Sequence, residues 1–289
     1  MHRRKAFRLK LRSGLLRLGE RTLVMGVLNV TPDSFSDGGE FFDAKRAVAQ
    51  SLAMQRDGAD IIDIGAESTR PGSQPISAAL ELRRLLPVLE ALRGKLEIPV
   101  SVDTQKSAVA EIALGAGAKI INDISGLRSD PRLAQVAAKF RAPLILMHMR
   151  GRPRTMQKGP FARDVVQDVV RGLKQSIAVA RKAGVGESQI VIDPGIGFGK
   201  SFSQNYELLA RLPELAKLGF PILVGTSRKG FLGATLAKNG KPAPTSERQW
   251  GTAATVAASI LNGAHIVRVH DVAEMAQVAR VTDSVCEQL

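Results

Sequence analysis

Residues 44–65, AKRAVAQSLAMQRDGADIIDIG, combine a helix pattern with a strand pattern that follows it directly. Apolar residues recur at helical spacing through 44–59, and Gly58 stands where a glycine commonly ends a helix. The run DIIDIG at 60–65 is short and apolar, as strands buried on both faces are. The succession predicts one repeat of a parallel sheet covered by helices.

The same order recurs along the chain. Eight apolar runs are each followed by a loop rich in Gly, Asp, Ser or Thr and then by an amphipathic stretch, which predicts a (β/α)₈ barrel, the TIM barrel of the α/β class. A doubly wound sheet is the alternative, but it usually has fewer strands and one switch point. The runs are LVMGVLN (23–29), DIIDIG (60–65), IPVSVD (98–103), KIINDI (119–124), PLILMHM (143–149), IVID (190–193), PILVGT (221–226) and HIVRV (265–269).

Residues 1–21 form a basic N-terminal segment. Phe7, Leu9 and Leu11 alternate with basic residues, and a Ser-Gly turn separates them from a second short run. This period of two predicts a β-hairpin, whereas a secretory signal would need an apolar core and a cleavage site. No linker of domain-boundary length follows, and AKNGKPAPTSERQ (237–249) is interpreted as a loop inside the seventh unit. We therefore expect one barrel domain over 1–289 that carries this hairpin.

The amino-acid composition limits the classes of partner that this protein is expected to bind. Forty-one basic against 27 acidic residues give a net charge of +14, which fits either an anionic partner or a basic solvated surface. Aromatic residues are only 4%, so the stacking platforms of single-strand binders are scarce, and we expect no nucleic acid partner. No apolar run reaches the roughly 18–20 residues of a membrane span, so no membrane partner is expected. The single cysteine, Cys286, fits a reducing compartment, and we expect a cytoplasmic protein.

Polar side chains stand at the ends of the predicted strands. One Asp or Asn alone in such a loop is more often a helix N-cap than a ligand, but strand ends of a barrel converge on one mouth. Buried carboxylates there need partners that donate hydrogen bonds or carry positive charge. The residues are Asn29, Asp63, Asp103, Asn122, Asp123, Met147, His148, Asp193, Lys229, Arg268 and His270.

This set of side chains suits a flat heterocycle with an anionic tail. Carboxylates and amides can bind adjacent ring N–H groups, Lys229 can hold a ring carbonyl, and Arg268 can stack on a ring or clamp a phosphate. No group of His, Cys, Asp or Glu has zinc-site spacing, and there is no P-loop. The glycines of DPGIGFGKSF (193–202) do not follow dinucleotide spacing.

Eight motifs in order resemble those of the dihydropteroate synthase family, across nearly the whole chain. The resemblance implies that the protein joins 7,8-dihydropterin-CH₂-pyrophosphate to 4-aminobenzoate with Mg²⁺, giving 7,8-dihydropteroate and pyrophosphate. It implies small-molecule substrates and a homodimer packed through late helices. The motifs are GVLNVTPDSFSDGG, ADIIDIGAESTRPG, PVSVDTQK, IINDISG, LMHMRG, IDPGIGFGK, VGTSRK and HIVRVHDV.

The resemblance also implies roles for residues at matching positions. The pterin site would consist of Asp103, Asn122, Met147, Asp193, Lys229 and Arg268. The diphosphate site would consist of Asn29, Thr69, Arg70, Arg268 and His270, with Asn29 also binding the magnesium. The 4-aminobenzoate site would consist of Phe35, Thr69, Pro71, Phe198, Ser227 and Lys229. The chemistry would rest on Asp33, Asp103, Lys229 and Arg268.

The implied chemistry is an SN1-like substitution, in which the protein stabilises separating charge rather than supplying a nucleophile. The loops after the first two strands would close over the site, which explains why the VLNVTPDSFSDGG segment (27–39) joins a buried strand to a polar loop. One position departs from the pattern: Gly230 follows Lys229 where several relatives carry a serine beside the aminobenzoate.

Three alternatives stand beside this reading. A methyltetrahydrofolate:corrinoid methyltransferase shares the pterin-reading carboxylates and amide but needs no pyrophosphate clamp. A non-catalytic protein could use the net charge to bind a polyanion, with affinity that falls steeply as salt rises. An inactive relative of the synthase is the third, although every expected pterin-side residue is present.

Overall fold

A computed structural model of the chain describes residues 4–31, 40–68, 72–151, 155–156, 159 and 161–288. The strands in these ranges are β1 Phe7–Lys10, β2 Leu15–Leu18, β3 Leu23–Asn29, β4 Ile61–Gly65, β5 Val100–Asp103, β6 Ile120–Asp123, β7 Leu144–Met147, β8 Ile190–Asp193, β9 Leu223–Val224 and β10 Ile266–Val269. The helices are α1 Glu40–Arg56, α2 Ala78–Leu92, α3 Ser107–Ala116, α4 Arg132–Phe140, α5 Val165–Lys182, α6 Phe202–Ala210, α7 Pro213–Ala216, α8 Gly230–Thr235, α9 Gln249–Leu261 and α10 Val272–Cys286.

Strands β3 to β10 form one parallel sheet that closes into a barrel. Hydrogen-bonded neighbours run from β3 through β8 in chain order, and β10 lies between β3 and β9. A parallel bridge between Ile192 and Ile222 joins β8 to β9 and closes the ring. The predicted (β/α)₈ barrel is therefore confirmed, as is the separate antiparallel hairpin of β1 and β2.

The lower part of the barrel interior is filled by apolar side chains. Every second residue of a strand points inward; β3 contributes two residues to this layer, β5 contributes none, and each of the other six barrel strands contributes one. Two leucines of the hairpin, Leu9 and Leu18, are buried against it and cover the amino-terminal end of the barrel. The barrel residues of this apolar plug are Leu23, Met25, Ile61, Ile120, Ile145, Val191, Leu223 and Ile266.

The inward position two residues further along most strands is polar or small, with Met147 of β7 as the apolar exception. The pairs are Ile61 and Asp63, Ile120 and Asn122, Ile145 and Met147, Val191 and Asp193, Leu223 and Gly225, and Ile266 and Arg268. A period of two therefore places the functional side chains directly above the apolar plug, at the carboxyl ends of the strands.

The outer core lies between the sheet and its helices. It contains the outward-facing strand residues, such as Ile62, Val102 and Ile121, packed against apolar faces of the surrounding helices. Gly58 follows α1 with a φ of 105°, a left-handed conformation suited to glycine, as expected for a residue that ends a helix. Two backbone bonds, Gly58 N to Gln55 O and Ala59 N to Met54 O, complete this cap.

The elements differ from the sequence-based boundaries at several ends. β3 and β8 coincide with their apolar runs, the other barrel strands are one or two residues shorter at one or both ends, and β9 retains only Leu223 and Val224 of 221–226. The run is apolar because the flanking residues are buried, although they do not continue the ladder. Residues 237–249 form a loop within the seventh unit, as predicted, with a 3₁₀ turn at Thr245–Glu247.

A buried ion pair fastens the N-terminus to the last helix. Arg4 donates to Asp283, to Thr22 Oγ1 at 2.6 Å and to Ala264 O at 2.9 Å. The other oxygen of Asp283 accepts from the Thr22 backbone N–H at 2.6 Å. Among the described helices, none combines the length and apolarity needed to cross a bilayer.

Truncating the hairpin plug should destabilise the whole barrel. Leu18 is fully buried, so Leu18→Ala is expected to lower the free energy of unfolding by about 2–5 kcal/mol, through lost burial and the cavity left behind. Urea unfolding followed by circular dichroism measures the change. Leu15→Ala, at a position 42% exposed in the same hairpin, should change stability by less than about 1 kcal/mol. Equal effects of the two substitutions would contradict the plug.

Candidate active site

Arg268 is the central cation of the polar layer. On β10, its guanidinium donates to Asp63 Oδ2 at 2.7 Å and to Asp103 Oδ2 at 3.0 Å. Gly225, in the neighbouring strand segment, lies beside Arg268, and a Cβ there would be in ordinary van der Waals contact with Arg268 Cβ at 3.6 Å. Burial in the barrel lowers the pKa of Arg268, but the two carboxylates outweigh that effect and raise it.

Asp63 and Asn122 extend this network across the barrel. The Asn122 amide donates to Asp63 Oδ2 at 2.9 Å, so this oxygen accepts from both Asn122 and Arg268. The second oxygen, Asp63 Oδ1, is buried and has no partner among the described side chains. It is an acceptor within the polar layer that a donor-bearing ligand or a water molecule can satisfy.

Asp103 carries a strongly shifted carboxyl group. Burial raises its pKa to about 7 despite the opposing attraction of Arg268, and repulsion from Asp63, Glu81 and Asp123 adds to the increase. Asp103 therefore keeps its proton to a higher pH than an ordinary aspartate does. A cation that forms beside it during a reaction would favour the ionised state.

Asp193 and Lys229 lie on the opposite side of the mouth. Asp193 Oδ1 accepts a hydrogen bond from the Gly195 N–H at 2.6 Å. Burial raises the pKa of Asp193. The opposing influences, which lower this pKa, come from Lys229, the hydrogen bond from Gly195, Lys200 and Arg268. Burial lowers the pKa of Lys229 to about 8, against the attraction of Asp193. Lys229 donates to Ile196 O and its Nζ lies 4.8 Å from the centre of the Phe198 ring.

The rim of the mouth contains an imidazole and a hydroxyl in contact. His270 Nδ1 lies 3.0 Å from Ser227 Oγ, and the His270 backbone N–H donates to the same oxygen at 3.2 Å. Burial, with Arg268 and Arg228 nearby, lowers the pKa of His270 to about 4, so the ring is neutral at pH 7. Asn29, at the end of β3, pairs in register with Gly65 at the same edge of the barrel.

A buried lysine lies just outside the barrel, behind Asp193. Lys200 is 1% exposed, and its ammonium lies 2.9 Å from His148 O, 2.9 Å from Gly195 O and 3.1 Å from His148 Nδ1. Burial, with Lys200 and two arginines nearby, lowers the pKa of His148 to about 2, so the imidazole is neutral. Burial also lowers the pKa of Lys200 well below its usual range, against the attraction of Asp193.

Most of the predicted site residues converge on this mouth: Asn29, Asp103, Asn122, Met147, Asp193, Phe198, Ser227, Lys229, Arg268 and His270. Asp33, Phe35, Thr69, Arg70 and Pro71 lie outside the described residues. Asp123 and His148, which the sequence also places at strand ends, are bonded away from the mouth. Asp123 accepts from the backbone N–H groups of Ser125 at 2.8 Å and Leu127 at 2.6 Å and so shapes a turn.

Two residues of the site were given no role from the sequence. Asp63 was visible as a strand-end carboxylate, and its position two residues after Ile61 could have indicated that it points inward. Lys200 follows a glycine-rich loop, where a lysine is ordinarily solvated, and no local signal in the sequence predicts its burial.

A cavity of about 200 Å³ lies beside the mouth, between the loop after β7 and helix α5. It contacts Met147 and His148 but does not include Asp193, Lys229 or Arg268. We assign the candidate active site to the polar layer rather than to this cavity, because the buried carboxylates and their cations converge in the former.

Comparison with known proteins agrees with this geometry. Residues 25–270 match the family described as pterin binding enzyme. The dihydropteroate synthase of Synechocystis sp. is 51% identical to this chain over 266 residues, which cover 92% of this chain and 91% of that protein.

Solved structures of the same kind superpose closely. The structure of Xanthomonas albilineans dihydropteroate synthase with 4-aminobenzoic acid has a TM-score of 0.88 and 41% identity, covering 97% of this chain and 98% of that one. The structure of the Burkholderia cenocepacia dihydropteroate synthase complexed with 7,8-dihydropteroate has a TM-score of 0.85 and 42% identity, covering 98% and 97%.

The shifted carboxyl of Asp103 gives a pH-dependent difference in stability. The pKa of Asp103 is about 7 in the folded protein and has the ordinary value of 3.8 in the unfolded chain. Between these pH values the folded protein binds more protons than the unfolded chain does. The contribution of Asp103 to the free energy of unfolding therefore falls as the pH rises. Asp103→Asn removes this contribution. Its free energy of unfolding, relative to that of the original protein, should therefore increase from pH 5 to pH 8, as measured by urea unfolding. A difference independent of pH would contradict the shift.

Proposed function

The chain belongs to the dihydropteroate synthases, within the pterin-binding enzymes, and on that premise we propose how its barrel mouth performs the reaction. The enzyme is a transferase that joins a dihydropterin-methyl group to 4-aminobenzoate and releases diphosphate. The observation that carries the proposal is the ring of buried groups around Arg268, which offers hydrogen-bond acceptors and cations to one bound heterocycle.

The pterin binds within the polar layer. Asp193 accepts from the amino group and N3–H of the pterin, while Lys229 donates to the ring carbonyl. Asn122 and Asp103 bind the remaining ring nitrogens, and Met147 and Arg268 pack against the ring. Asn122, Met147 and Asp193 are buried, and Asp103, Lys229 and Arg268 are partly buried. This supports the arrangement, because hydrogen bonds to a charged group gain strength away from water.

Separation of charge is the main demand of the reaction. When the bond between the methylene carbon and the diphosphate oxygen breaks, the pterin becomes cationic, and Asp103 beside it stabilises that charge. Arg268 and His270 stabilise the departing anion; a bound diphosphate also favours protonation of the neutral His270. The amine of 4-aminobenzoate then forms the C–N bond in an SN1-like order, and its released proton passes to the diphosphate or to water.

Mg²⁺ fits this site as a partner of the diphosphate. Within the described ranges, no group of three His, Cys, Asp or Glu side chains could hold a metal by itself. Magnesium bound to phosphates usually needs only one or two protein oxygens, and the amide oxygen of Asn29 at the edge of the mouth can supply one. When bound, the ion neutralises charge on the leaving diphosphate.

The 4-aminobenzoate binds between Phe198, Ser227 and Lys229. Phe198 packs beside Met147 in a small apolar cluster and offers a face to the aromatic ring. A Cβ on Gly230 would meet nothing within 4 Å, so this position leaves open space where several relatives have a serine. The carboxylate of 4-aminobenzoate therefore relies on Lys229, Ser227 and backbone N–H groups.

The corrinoid methyltransferase alternative shares the pterin-reading residues. The substrate of such a methyltransferase has no diphosphate. Arg268 and His270, whose ring contacts Ser227, would then have no anion to bind. The two activities differ in product, and the assay below distinguishes them.

The decisive assay measures diphosphate release and dihydropteroate formation from 7,8-dihydropterin-CH₂-pyrophosphate, 4-aminobenzoate and Mg²⁺. Asp193→Asn and Lys229→Met should each lower kcat/KM by about 100-fold or more, because each removes a charge that faces the pterin. Lys139→Met, at an exposed lysine on α4 paired with Glu111, is the matched control and should retain activity.

Asn29→Ala should raise the Mg²⁺ concentration required and weaken Mg²⁺-dependent diphosphate binding measured by calorimetry. Tight pterin binding without condensation would overturn the synthase mechanism.

We also propose a homodimer in the cytoplasm, formed through α9 and α10. The two helices pack on each other, and they expose Trp250, Val281 and Val285, which are 81%, 68% and 50% accessible. A partner subunit that covered these side chains would remove their apolar surface from water, which favours association. A second copy of the chain is the partner that supports a two-fold contact of one surface with itself.

Charge placed on these helices should separate the subunits. Trp250→Glu combined with Val281→Glu is expected to shift the sedimentation coefficient from dimer to monomer, since each subunit would bury two carboxylates and the four would repel one another. Leu15→Glu, on the hairpin at the amino-terminal end of the barrel, serves as the control and should sediment as the original protein does. A monomeric original protein at micromolar concentration would refute the interface.

A further inference from the structure

We propose that Lys200 is a positioning residue for pterin binding: it fastens the loop after β8 to the end of β7 and thereby aims Asp193 at the pterin. The inference rests on the pterin-binding role of Asp193 proposed above. Lys200 itself lies outside the mouth and contacts neither substrate, so it acts through the backbone that it holds.

The ammonium of Lys200 is surrounded by acceptors on two neighbouring strand ends. It donates to His148 O after β7 and to Gly195 O after β8, both at 2.9 Å, and lies 3.1 Å from His148 Nδ1. The neutral imidazole can accept at this nitrogen while its Nε2 faces Asp168 Oδ2 at 3.7 Å. Three N–H groups thus meet three acceptors, and the lysine has little freedom to point elsewhere.

Gly195 connects Lys200 to the pterin carboxylate. Its carbonyl accepts from Lys200 and from the Phe198 N–H at 3.0 Å, while its own N–H donates to Asp193 Oδ1 at 2.6 Å. Lys200 therefore orients the peptide unit that follows Gly195, while the N–H of the same residue fixes one carboxylate oxygen of Asp193. The hydrogen bond from the Gly195 N–H thus fixes the orientation of the Asp193 carboxylate and the direction in which Oδ2 points.

The loop also passes very close to β7. Gly195 has a φ of 66°, and a Cβ at this position would lie 1.9 Å from His148 O. Two carbonyl groups, of His148 and Gly195, face this crowded space, and Lys200 Nζ satisfies both. Without the lysine, the buried His148 O would lose this donor and Gly195 O would keep only the bond from the Phe198 N–H, which favours movement of the loop away from the strand.

The groups around Asp193 make this role visible in a pH profile. Lys229 from the loop after β9, Arg268 from β10, Lys200 and the Gly195 N–H all lower the pKa of Asp193, whereas burial raises it. Loss of Lys200 removes one of these cations and loosens the Gly195 bond. Both changes raise the pKa of Asp193, so the acidic limb of pterin binding should move to higher pH.

The test is calorimetric binding of 7,8-dihydropterin-CH₂-pyrophosphate to the full-length protein between pH 5 and 9. Lys200→Met, which keeps the length of the side chain but has no donor, should raise Kd by about tenfold or more and shift the acidic limb upward. Lys200→Gln, which keeps an amide donor, should recover part of the affinity. If Lys200→Met does not fold, the same binding measurements on Lys200→Gln test the positioning role instead.

Arg4→Met is the control for stability alone, because Arg4 is buried at the opposite end of the barrel. It should lower the melting temperature and leave both Kd and the pH profile unchanged. A Lys200→Met variant that resembles Arg4→Met in all three measurements would overturn the inference. Asp193→Asn separates failure of the proposed role of Asp193 from failure of the positioning role of Lys200. If Asp193→Asn binds the pterin normally, the proposed role of Asp193 is wrong. If Asp193→Asn binds weakly and Lys200→Met binds normally, only the positioning role of Lys200 is wrong.

Discussion

The ion pairs of Arg268 with Asp63 and Asp103 constrain the organisation of the barrel mouth. Arg268 and two carboxyl groups lie together above an apolar plug, where an unpaired charge would be costly to bury. Pairing fixes the guanidinium between two carboxylates, and the Asn122 amide completes the network at Asp63. The remaining free energy cost appears as the raised pKa of Asp103, which leaves that carboxyl ready to ionise when a positive charge forms beside it.

The scaffold keeps this charged layer in place from below and from the side. The apolar plug, with Leu9 and Leu18 of the hairpin, fills the amino-terminal half of the barrel, so the polar layer is closed to solvent on that face. At the side, Lys200 ties the loop that carries Gly195 to the end of β7. Stability and function thus reside in adjacent layers of the same strands, which is the general division in barrels of this kind.

Much of this architecture was accessible from the sequence. The eight runs, their alternation with helices and the cap at Gly58 are local patterns, and local patterns determine element type when packing agrees with them. The strand-end positions of Asp103, Asn122, Asp193, Lys229 and Arg268 were visible as well. Strand limits were less accessible, because residue type does not show where the hydrogen-bonded ladder stops within a run; β9 is the clearest case, with two residues in a run of six.

The sequence by itself determined the order of elements and the side-chain chemistry available at the mouth, since both depend on residue type and spacing along the chain. Only the tertiary structure decided which groups pair. Asp63 and Arg268 are 205 positions apart; strand alternation places Asp63 inward and Asp123 outward, but no local rule makes Asp63 the partner of Arg268. Asp123 instead turns back to its own loop, while Lys200 is buried by β7 and its loop. Pairing and burial are properties of side chains brought together by the closed barrel, and closure is a long-range event.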